Sequence, residues 1–219
     1  VADGLIFNMD AANRASYIPD ATTSYNTVDL TTSGSLQNDT SYIAPPTSAS
    51  CWDYDGTDDI IAIGPEVDLG TTSTVSLWVK QERPTTGETF LGTSLAYNYI
   101  LHVNADDAAY VRFGDYTLTF NNAATKTALN TTDWINITFV RTGLTTCYLY
   151  VNAVDNDGEK SNGSITLNTK INTLGGEPDY TFDFQGQIAN LQGYNRALSS
   201  NEVLHNYNAL KGRFAWVEE

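Results

Sequence analysis

The sequence is poor in basic residues, and this shortage excludes whole classes of partner. Its 219 residues include 11 Lys and Arg against 26 Asp and Glu, which gives a formal net charge of −15 at pH 7. Nucleic-acid binding needs basic side chains that displace counterions from phosphates, and anionic membrane surfaces attract the same residues. We therefore expect neither nucleic acid nor an anionic membrane among the partners of this chain.

Long hydrophobic runs are also missing. The segment 60–63 (IIAI) is among the most apolar, whereas a membrane-spanning helix needs about 18–20 apolar residues. No membrane insertion is expected. The first residues lack the basic and apolar regions of a signal peptide, which indicates either a chain without one or a chain already processed.

Cysteine and histidine are scarce, with two of each. Cys51 and Cys147 lie far apart and outside any CxxC spacing, so a zinc or redox site has no support. The pattern favours two buried free thiols, with a disulfide between strands as the alternative. His102 and His205 alone disfavour a histidine-based metal site or a Ser-His-Asp site.

Apolar residues alternate with a period of two, which is typical of half-buried strands. About a dozen candidate strands, separated by short polar turns, predict one antiparallel sandwich domain over residues 1–219. In the strand at 74–80, the alternation places Leu77 and its neighbours inward. Trp78 should face the other way, under loops of residues 10–50. The clearest strands are predicted at residues 4–9, 74–80, 134–141, 146–152 and 184–194.

Residues 10–50 lack this alternation and are rich in Ser, Thr, Asn and Asp. They are predicted to form a long connection on the surface of the domain, because their composition never becomes a flexible Gly/Ser run. Five apolar or aromatic side chains should anchor it by packing inward: Tyr17, Tyr25, Leu30, Leu36 and Tyr42.

One short helix is predicted near the C-terminus. Ser199 and Glu202 have the spacing of a capping box, in which each side chain satisfies a backbone amide at the start of the helix. Val203, Tyr207 and Leu210 then recur on one face. Gly212 fits the position just after a helix end.

Three segments resemble the laminin-G-like and pentraxin-like domains: residues 54–60 (YDGTDDI), 74–79 (TVSLWV) and 186–199 (GQIANLQGYNRALS). Residues 4–13 and 210–214 are similar to versions of this domain in structural proteins of tailed bacteriophages. The resemblance implies an all-β fold, the concanavalin A-like jelly roll, with two antiparallel sheets and one short C-terminal helix.

Enzymes that share this fold need motifs that the sequence does not complete. Glucanases use the pattern Glu-x-Asp-x-(x)-Glu on one strand face, and residues 177–182 (EPDYTF) lack its last Glu. Alginate lyases use Gln-x-His, and residues 187–189 (QIA) lack the His. We therefore predict a protein that is not an enzyme.

Calcium is the one cofactor that the resemblance suggests. Calcium-binding pentraxins have an acidic loop before the Gly-x-Ile strand, where this chain has Glu177 and Asp179, and carboxylates two residues apart can share one Ca²⁺. A second pentraxin segment ends in Asp-Asn, and here Tyr97 and Asn98 stand there. The expected ligands are thus Glu177, Asp179 and Asn98. Residues 155–158 (DNDG) resemble part of a calcium loop, but they are interpreted as a hairpin turn.

Aromatic rings suit glycan binding, because the apolar face of a sugar stacks on a flat ring. The candidate ligand-binding residues are Tyr97, Tyr99, Tyr110 and Tyr116. Together with the resemblance, they predict a non-enzymatic protein of the virion surface, a capsid decoration or tail-fibre module that also adheres to glycans. Its partners would be virion proteins, other copies of itself and cell-surface glycans. The alternatives are a lectin module of a secreted cellular protein and a polysaccharide-degrading enzyme.

Overall fold

The computed structural model describes residues 1–45, 49–82, 87–93, 99–177 and 182–214. Within them are seventeen strands, two α-helices and one 3₁₀ helix. The strands are β1 (Leu5–Asp10), β2 (Thr23–Tyr25), β3 (Ser33–Gln37), β4 (Ser41–Ile43), β5 (Cys51–Asp55), β6 (Ile60–Gly70), β7 (Ser73–Gln81), β8 (Glu88–Gly92), β9 (Tyr99–Val103), β10 (Ala109–Phe113), β11 (Tyr116–Phe120), β12 (Ile135–Arg141), β13 (Thr146–Val151), β14 (Val154–Asp155), β15 (Lys160–Ser161), β16 (Thr169–Leu174) and β17 (Gln185–Tyr194). The helices are α1 (Ala123–Leu129), α2 (Ser200–Leu210) and the 3₁₀ helix Lys211–Arg213.

These strands form two antiparallel sheets. The nine-stranded sheet has the order β14-β13-β12-β7-β17-β5-β4, with β1 also paired to β17 and β15 to β13. The eight-stranded sheet has the order β11-β10-β9-β8-β16-β6-β3-β2. Neighbours such as β7 and β17 are far apart in the chain, as expected of a jelly roll. The predicted all-β sandwich with a short C-terminal helix is confirmed.

The core lies between the sheets and follows the predicted alternation. Leu77 lies opposite Ile137 in the β7–β12 pair, and both side chains are fully buried. Removing such side chains from water is the main favourable contribution to folding. The inward-facing residues of the two strands all belong to one core cluster: Val75, Leu77, Val79, Ile135, Ile137 and Phe139.

The face of β7 that points away from the core is covered mainly by the C-terminal segment. The prediction that residues 10–50 form this cover is therefore mostly wrong. Trp78 stacks on Phe214 with 4.2 Å between ring centroids and on Tyr207 at 5.5 Å. From residues 10–50, Ala49 belongs to this buried cluster and Ile43 packs against it. An aromatic residue that faces away from the core is thus buried in a second, smaller one.

Helix α2 begins as predicted. The Ser199 hydroxyl accepts from the amide of Glu202, while the Glu202 carboxylate accepts from the amide of Ser199. The helix ends at Leu210 with Lys211 as its C-cap, so Gly212 takes the position just after the helix end, as predicted. The chain tightens there into the 3₁₀ helix and keeps Phe214 over Trp78. In the described part of the chain, no helix is long and apolar enough to cross a membrane.

Residues 10–50 contain three strands, which corrects the prediction of a plain surface connection. β3 pairs with β6 in the eight-stranded sheet and β4 pairs with β5 in the nine-stranded sheet, so the segment contributes to both. Tyr17 is buried, and Leu36 and Tyr42 pack against the core. Tyr25 and Leu30 are 46% and 71% exposed, contrary to prediction. Ser24 takes the inward position on β2, and Leu30 lies in a turn.

The residues 155–158 anchor helix α1. The Asp157 carboxylate accepts hydrogen bonds from the amides of Asn121 and Asn122 and from the Thr125 hydroxyl, and it pairs with Lys160 at 2.9 Å. Residues 155–158 do not form the predicted hairpin turn. The flanking strands β14 and β15 each pair with β13, whereas a hairpin would pair them with each other. The hairpin turn lies earlier, between β13 and β14.

Neither cysteine forms a disulfide bond, and both thiols are buried, as predicted. Burial raises the pKa of the Cys147 thiol to about 12, although the nearby guanidinium of Arg141 opposes the shift. A thiol with so high a pKa stays protonated and unreactive at neutral pH.

Candidate functional site

A row of side chains crosses four neighbouring strands on the outer face of the eight-stranded sheet. Thr119 lies opposite Tyr110, Tyr110 opposite His102, and His102 opposite Thr89. Directly opposite residues of antiparallel strands share a face. Val111, next to Tyr110 in the chain, points into the core, so the row faces outward. We call these four residues the outer row.

One end of the outer row is buried and connected by hydrogen bonds. The Thr89 hydroxyl donates to Glu177 Oε1 at 3.1 Å and lies 3.0 Å from His102 Nδ1. Since that hydroxyl has a single proton, the geometry assigns His102 the tautomer in which Nδ1–H donates to Thr89. Thr89, His102 and Glu177 are each at most 5% exposed, so this end is closed to solvent.

His102 is held in its neutral form. Burial lowers the pKa of its imidazole to about 4, because a charged ring would lose its hydration. The ring of Phe182 meets it edge-on at 5.0 Å between centroids, and the centroid of the Tyr110 ring lies 6.3 Å away. His102 therefore acts at neutral pH as an uncharged support for its neighbours.

The other end of the outer row is open. Tyr110 and Thr119 are partly exposed, and the next outward pair along the same two strands is Arg112 opposite Thr117. The Arg112 guanidinium is positioned by a 2.9 Å hydrogen bond from Nε to the carbonyl of Gly114. This end offers a ring, two hydroxyls and a guanidinium on one sheet surface.

The structure separates the two predicted tyrosines that it describes in full. Tyr110 lies in the outer row. Tyr116 pairs with Phe113, whose side chain is in the core. The Tyr116 side chain therefore points to the face opposite the outer row, where it lies beside Gly163. Tyr97 lies outside the described residues, as does the side chain of Tyr99.

The predicted calcium ligands are only partly described. Glu177 is fully buried, and its Oε1 is engaged by the Thr89 hydroxyl. Asn98 and Asp179 lie outside the described residues. A carboxylate is the donor that Ca²⁺ prefers, so Glu177 suits the ion chemically, and calcium at this position stays a prediction.

Sequence reasoning missed Thr89 and His102. At residues 109–113, Tyr110 and Arg112 alternate with apolar residues. This alternation was the available signal for an outward polar face. The contact between Thr89 and Glu177 joins positions 88 residues apart. No local pattern reveals such a contact.

A concave site, separate from the outer row, lies beside the edge strand β2. It is part of the segment 10–50, which was predicted to be a surface connection. It is a cleft of about 400 Å³. Asp20 there adopts a positive φ of 70°, a conformation that Asp tolerates better than most residues. The lining residues are Ile18, Asp20, Ala21, Thr22, Thr23 and Tyr25.

Residues 55–204 match the family Laminin_G_3, described as the concanavalin A-like lectin/glucanases superfamily. The match covers more than half of the chain, and the chain belongs to this family. The sequence resemblance is thereby confirmed at the level of the superfamily. No curated protein sequence matches the chain.

Solved structures share the fold at low sequence identity. The binding domain of botulinum neurotoxin serotype D superposes with a TM-score of 0.69 and 13% identity over 94% of this chain and 52% of that one. The binding domain of Paraclostridial Mosquitocidal Protein 1 gives 0.65 and 16% over 94% and 52%. The chain thus spans about half the length of these toxin domains.

Another similar structure is matched over nearly its whole length. It is domain 4 of AbnA, a GH43 extracellular arabinanase from Geobacillus stearothermophilus, solved in complex with arabinotriose. The TM-score is 0.64 and the identity 18%, over 92% of this chain and 97% of that domain. At such identities, these likenesses establish the fold alone.

Proposed function

We propose that this chain is a non-catalytic module that binds glycans at the open end of the outer row. The observation that carries the proposal is the partly exposed ring of Tyr110, held on a strand between the buried His102 and the hydroxyl of Thr119. Apolar sugar faces stack on such rings, and flanking hydroxyl and guanidinium groups bond the sugar hydroxyls. Strand residues hold this geometry more firmly than loop residues do.

The family and its structural relatives support a binding role. The description of the superfamily names lectins as well as glucanases. The toxin relatives are binding domains, and domain 4 of AbnA was solved with a bound arabinose trisaccharide. An arabino-oligosaccharide is therefore the first defined glycan to test.

The burial of Glu177 supports the absence of catalysis. Retaining glycosidases place two carboxylates about 5–5.5 Å apart on either side of the bond that they cleave. Glu177 begins the incomplete enzyme motif, yet it is fully buried and hydrogen-bonded to Thr89. In this arrangement, the carboxylate does not reach a glycan on the sheet surface.

We place the module on a virion surface, as a capsid decoration or tail-fibre component that contacts other virion proteins or copies of itself. Residues 4–13 and 210–214, which are similar to phage structural proteins, support this setting. Mass spectrometry of purified particles, followed by density for the chain on the particle, tests it. A chain absent from particles and present in culture medium would contradict it.

The second candidate is a lectin module of a secreted cellular protein. It is favoured by domain 4 of AbnA, which belongs to an extracellular enzyme and is matched over 97% of its length. Both settings use the same glycan site, so the location of the protein distinguishes them while the binding assay does not.

Glycan binding is tested with a glycan array and with calorimetric titration of arabinotriose. Tyr110→Ala should weaken binding about tenfold or more, because the stacking ring is lost. Tyr116→Ala is the matched control, since it removes a tyrosine from the opposite face. Binding that survives Tyr110→Ala and disappears with Tyr25→Ala would move the site to the cleft at β2. An array without any bound glycan would contradict glycan binding itself.

A further inference from the structure

Three carboxylates converge at the turn that joins the two sheets. β5 of the nine-stranded sheet ends at Asp55, and β6 of the eight-stranded sheet begins at Ile60. One carboxylate oxygen from each of Asp55, Asp58 and Asp59 lies within 4.8 Å of the others. Two oxygens that each lie about 2.4 Å from one Ca²⁺ ion are at most about 4.8 Å apart. The spacing thus fits a common ion.

Asp59 is buried and incompletely satisfied. Its side chain is 2% exposed, and Oδ2 accepts the amide of Asp55 at 2.9 Å. Its Oδ1 is buried and accepts no hydrogen bond of normal geometry, although the backbone amide of Asp39 also acts on this carboxylate. Buried carboxylate oxygens are rarely left in this state, and an ion or an ordered water usually accounts for one that is.

A second buried polar atom in the neighbourhood has no partner either. Tyr54 precedes Asp55 in the chain and is 2% exposed, and its hydroxyl makes no hydrogen bond. Burial raises the pKa of this hydroxyl, and the charge of Asp59 raises it further. Tyr54 is not a member of the carboxylate cluster, so its unsatisfied hydroxyl is an observation independent of how closely the three carboxylates approach.

No basic side chain in the described part of the chain neutralises the negative charge of the cluster. Among the ion pairs of the described residues, none involves Asp55, Asp58 or Asp59. The three carboxylates lie close enough to repel one another, and Asp59 is in addition buried away from water. A cation in the cluster would relieve both the repulsion and the cost of burial.

We propose that Asp55, Asp58 and Asp59 bind one Ca²⁺ ion at the turn between β5 and β6. The donors are oxygens without histidine or cysteine, which suits a hard cation rather than zinc. Ca²⁺ tolerates irregular geometry and completes six to eight ligands with waters, which the exposed positions of Asp55 and Asp58 admit. Because the turn connects the two sheets, the bound ion stabilises their junction.

The test is calorimetric titration of CaCl₂ into protein stripped with a chelator, together with melting temperatures at each concentration. The parent should bind Ca²⁺ with a dissociation constant in the range of about 10⁻⁵–10⁻³ M, and its melting temperature should rise with the concentration of Ca²⁺. Asp58→Asn should weaken this binding at least tenfold. Asp58 is exposed, so its variant folds even if Asp59→Asn does not.

Two controls separate this site from others. Asp133→Asn removes one exposed charge elsewhere and should leave binding unchanged. Glu177→Gln should leave the Asp58-dependent binding event in place, since Glu177 belongs to the acidic loop predicted from the sequence. Binding that is equally strong in the parent and in Asp58→Asn would overturn the proposal. The absence of any binding at Ca²⁺ concentrations up to about 10 mM would also overturn the proposal. In that case, ordered water accounts for the unsatisfied oxygens.

Discussion

The ring of Trp78 lies nearly parallel to the ring of Phe214, at 14° and 4.2 Å between centroids. This contact joins the middle of β7 to the residue that follows the 3₁₀ helix. Phe214→Ala should therefore destabilise the whole domain, by about 3 kcal/mol or more, as truncations of buried Phe residues do. Urea unfolding measures the loss, and tryptophan emission should shift to longer wavelength as Trp78 becomes hydrated.

Phe214→Leu is the matched control for this prediction. It keeps most of the buried apolar volume and should cost clearly less than Phe214→Ala. If both variants unfold at the urea concentration of the parent, the C-terminal segment does not hold the small second core together.

The interior of the sandwich can be tested with two leucines. Leu77 is fully buried and Leu204, on α2, is 46% exposed. Leu77→Ala should cost about 2–5 kcal/mol, whereas Leu204→Ala should stay within about 0.5 kcal/mol. Equal denaturation midpoints for the two variants would mean that the alternation of β7 is assigned to the wrong face.

The pKa of His102 predicts a pH dependence of stability. The folded-state pKa is about 4, below the ordinary value of about 6.5, so the unfolded chain binds more protons between these two values. The free energy of unfolding should therefore fall as the pH drops from 6.5 towards 4, by up to about 3 kcal/mol. Denaturant titrations at several pH values measure this.

His102→Asn is the variant that checks the assignment, because its side-chain amide can replace the Nδ1–H donor without titrating. It should flatten the pH dependence between 6.5 and 4.5. Glu202 does not obscure this window: its hydrogen bonds with Arg196 lower its pKa to about 2, so the stability that it contributes is lost only below about pH 4.5. An unchanged profile in His102→Asn would contradict the assignment.

Calcium at Glu177 is a separate prediction from calcium at Asp55, Asp58 and Asp59. If Glu177, Asp179 and Asn98 hold an ion, Glu177→Gln should remove one calcium-binding event and reduce the calcium-dependent rise in melting temperature. A calorimetric titration in which Glu177→Gln binds as many equivalents as the parent would exclude this site.

The long strands and α2 could be predicted because their signals are local. β7, β12, β13 and β17 alternate over six to ten residues, and the capping box of α2 lies within four residues. β2, β3 and β4 escaped prediction because they have three to five residues, rich in Ser and Thr. Their pairing depends on partners elsewhere in the chain, which no window of sequence displays.

The candidate site was predictable by residue type and not by arrangement. Tyr110 and Tyr116 looked equivalent in the sequence. The short turn between β10 and β11 pairs Tyr116 with Phe113, and this register sends the two tyrosines to opposite faces. Likewise, the hydrogen bond of Thr89 to Glu177 forms only once β8 and β16 have paired within the eight-stranded sheet.

The attachment of α1 to Asp157 has a consequence for how the domain opens. A helix of seven residues is too short to persist alone, and the hydrogen bonds of Asp157 hold its start to the loop after β14. The helix and residues 155–160 should therefore unfold as one cooperative unit. Hydrogen exchange should give their amides a common opening free energy, and Asp157→Ala should lower it for both; separate opening of the helix would contradict this.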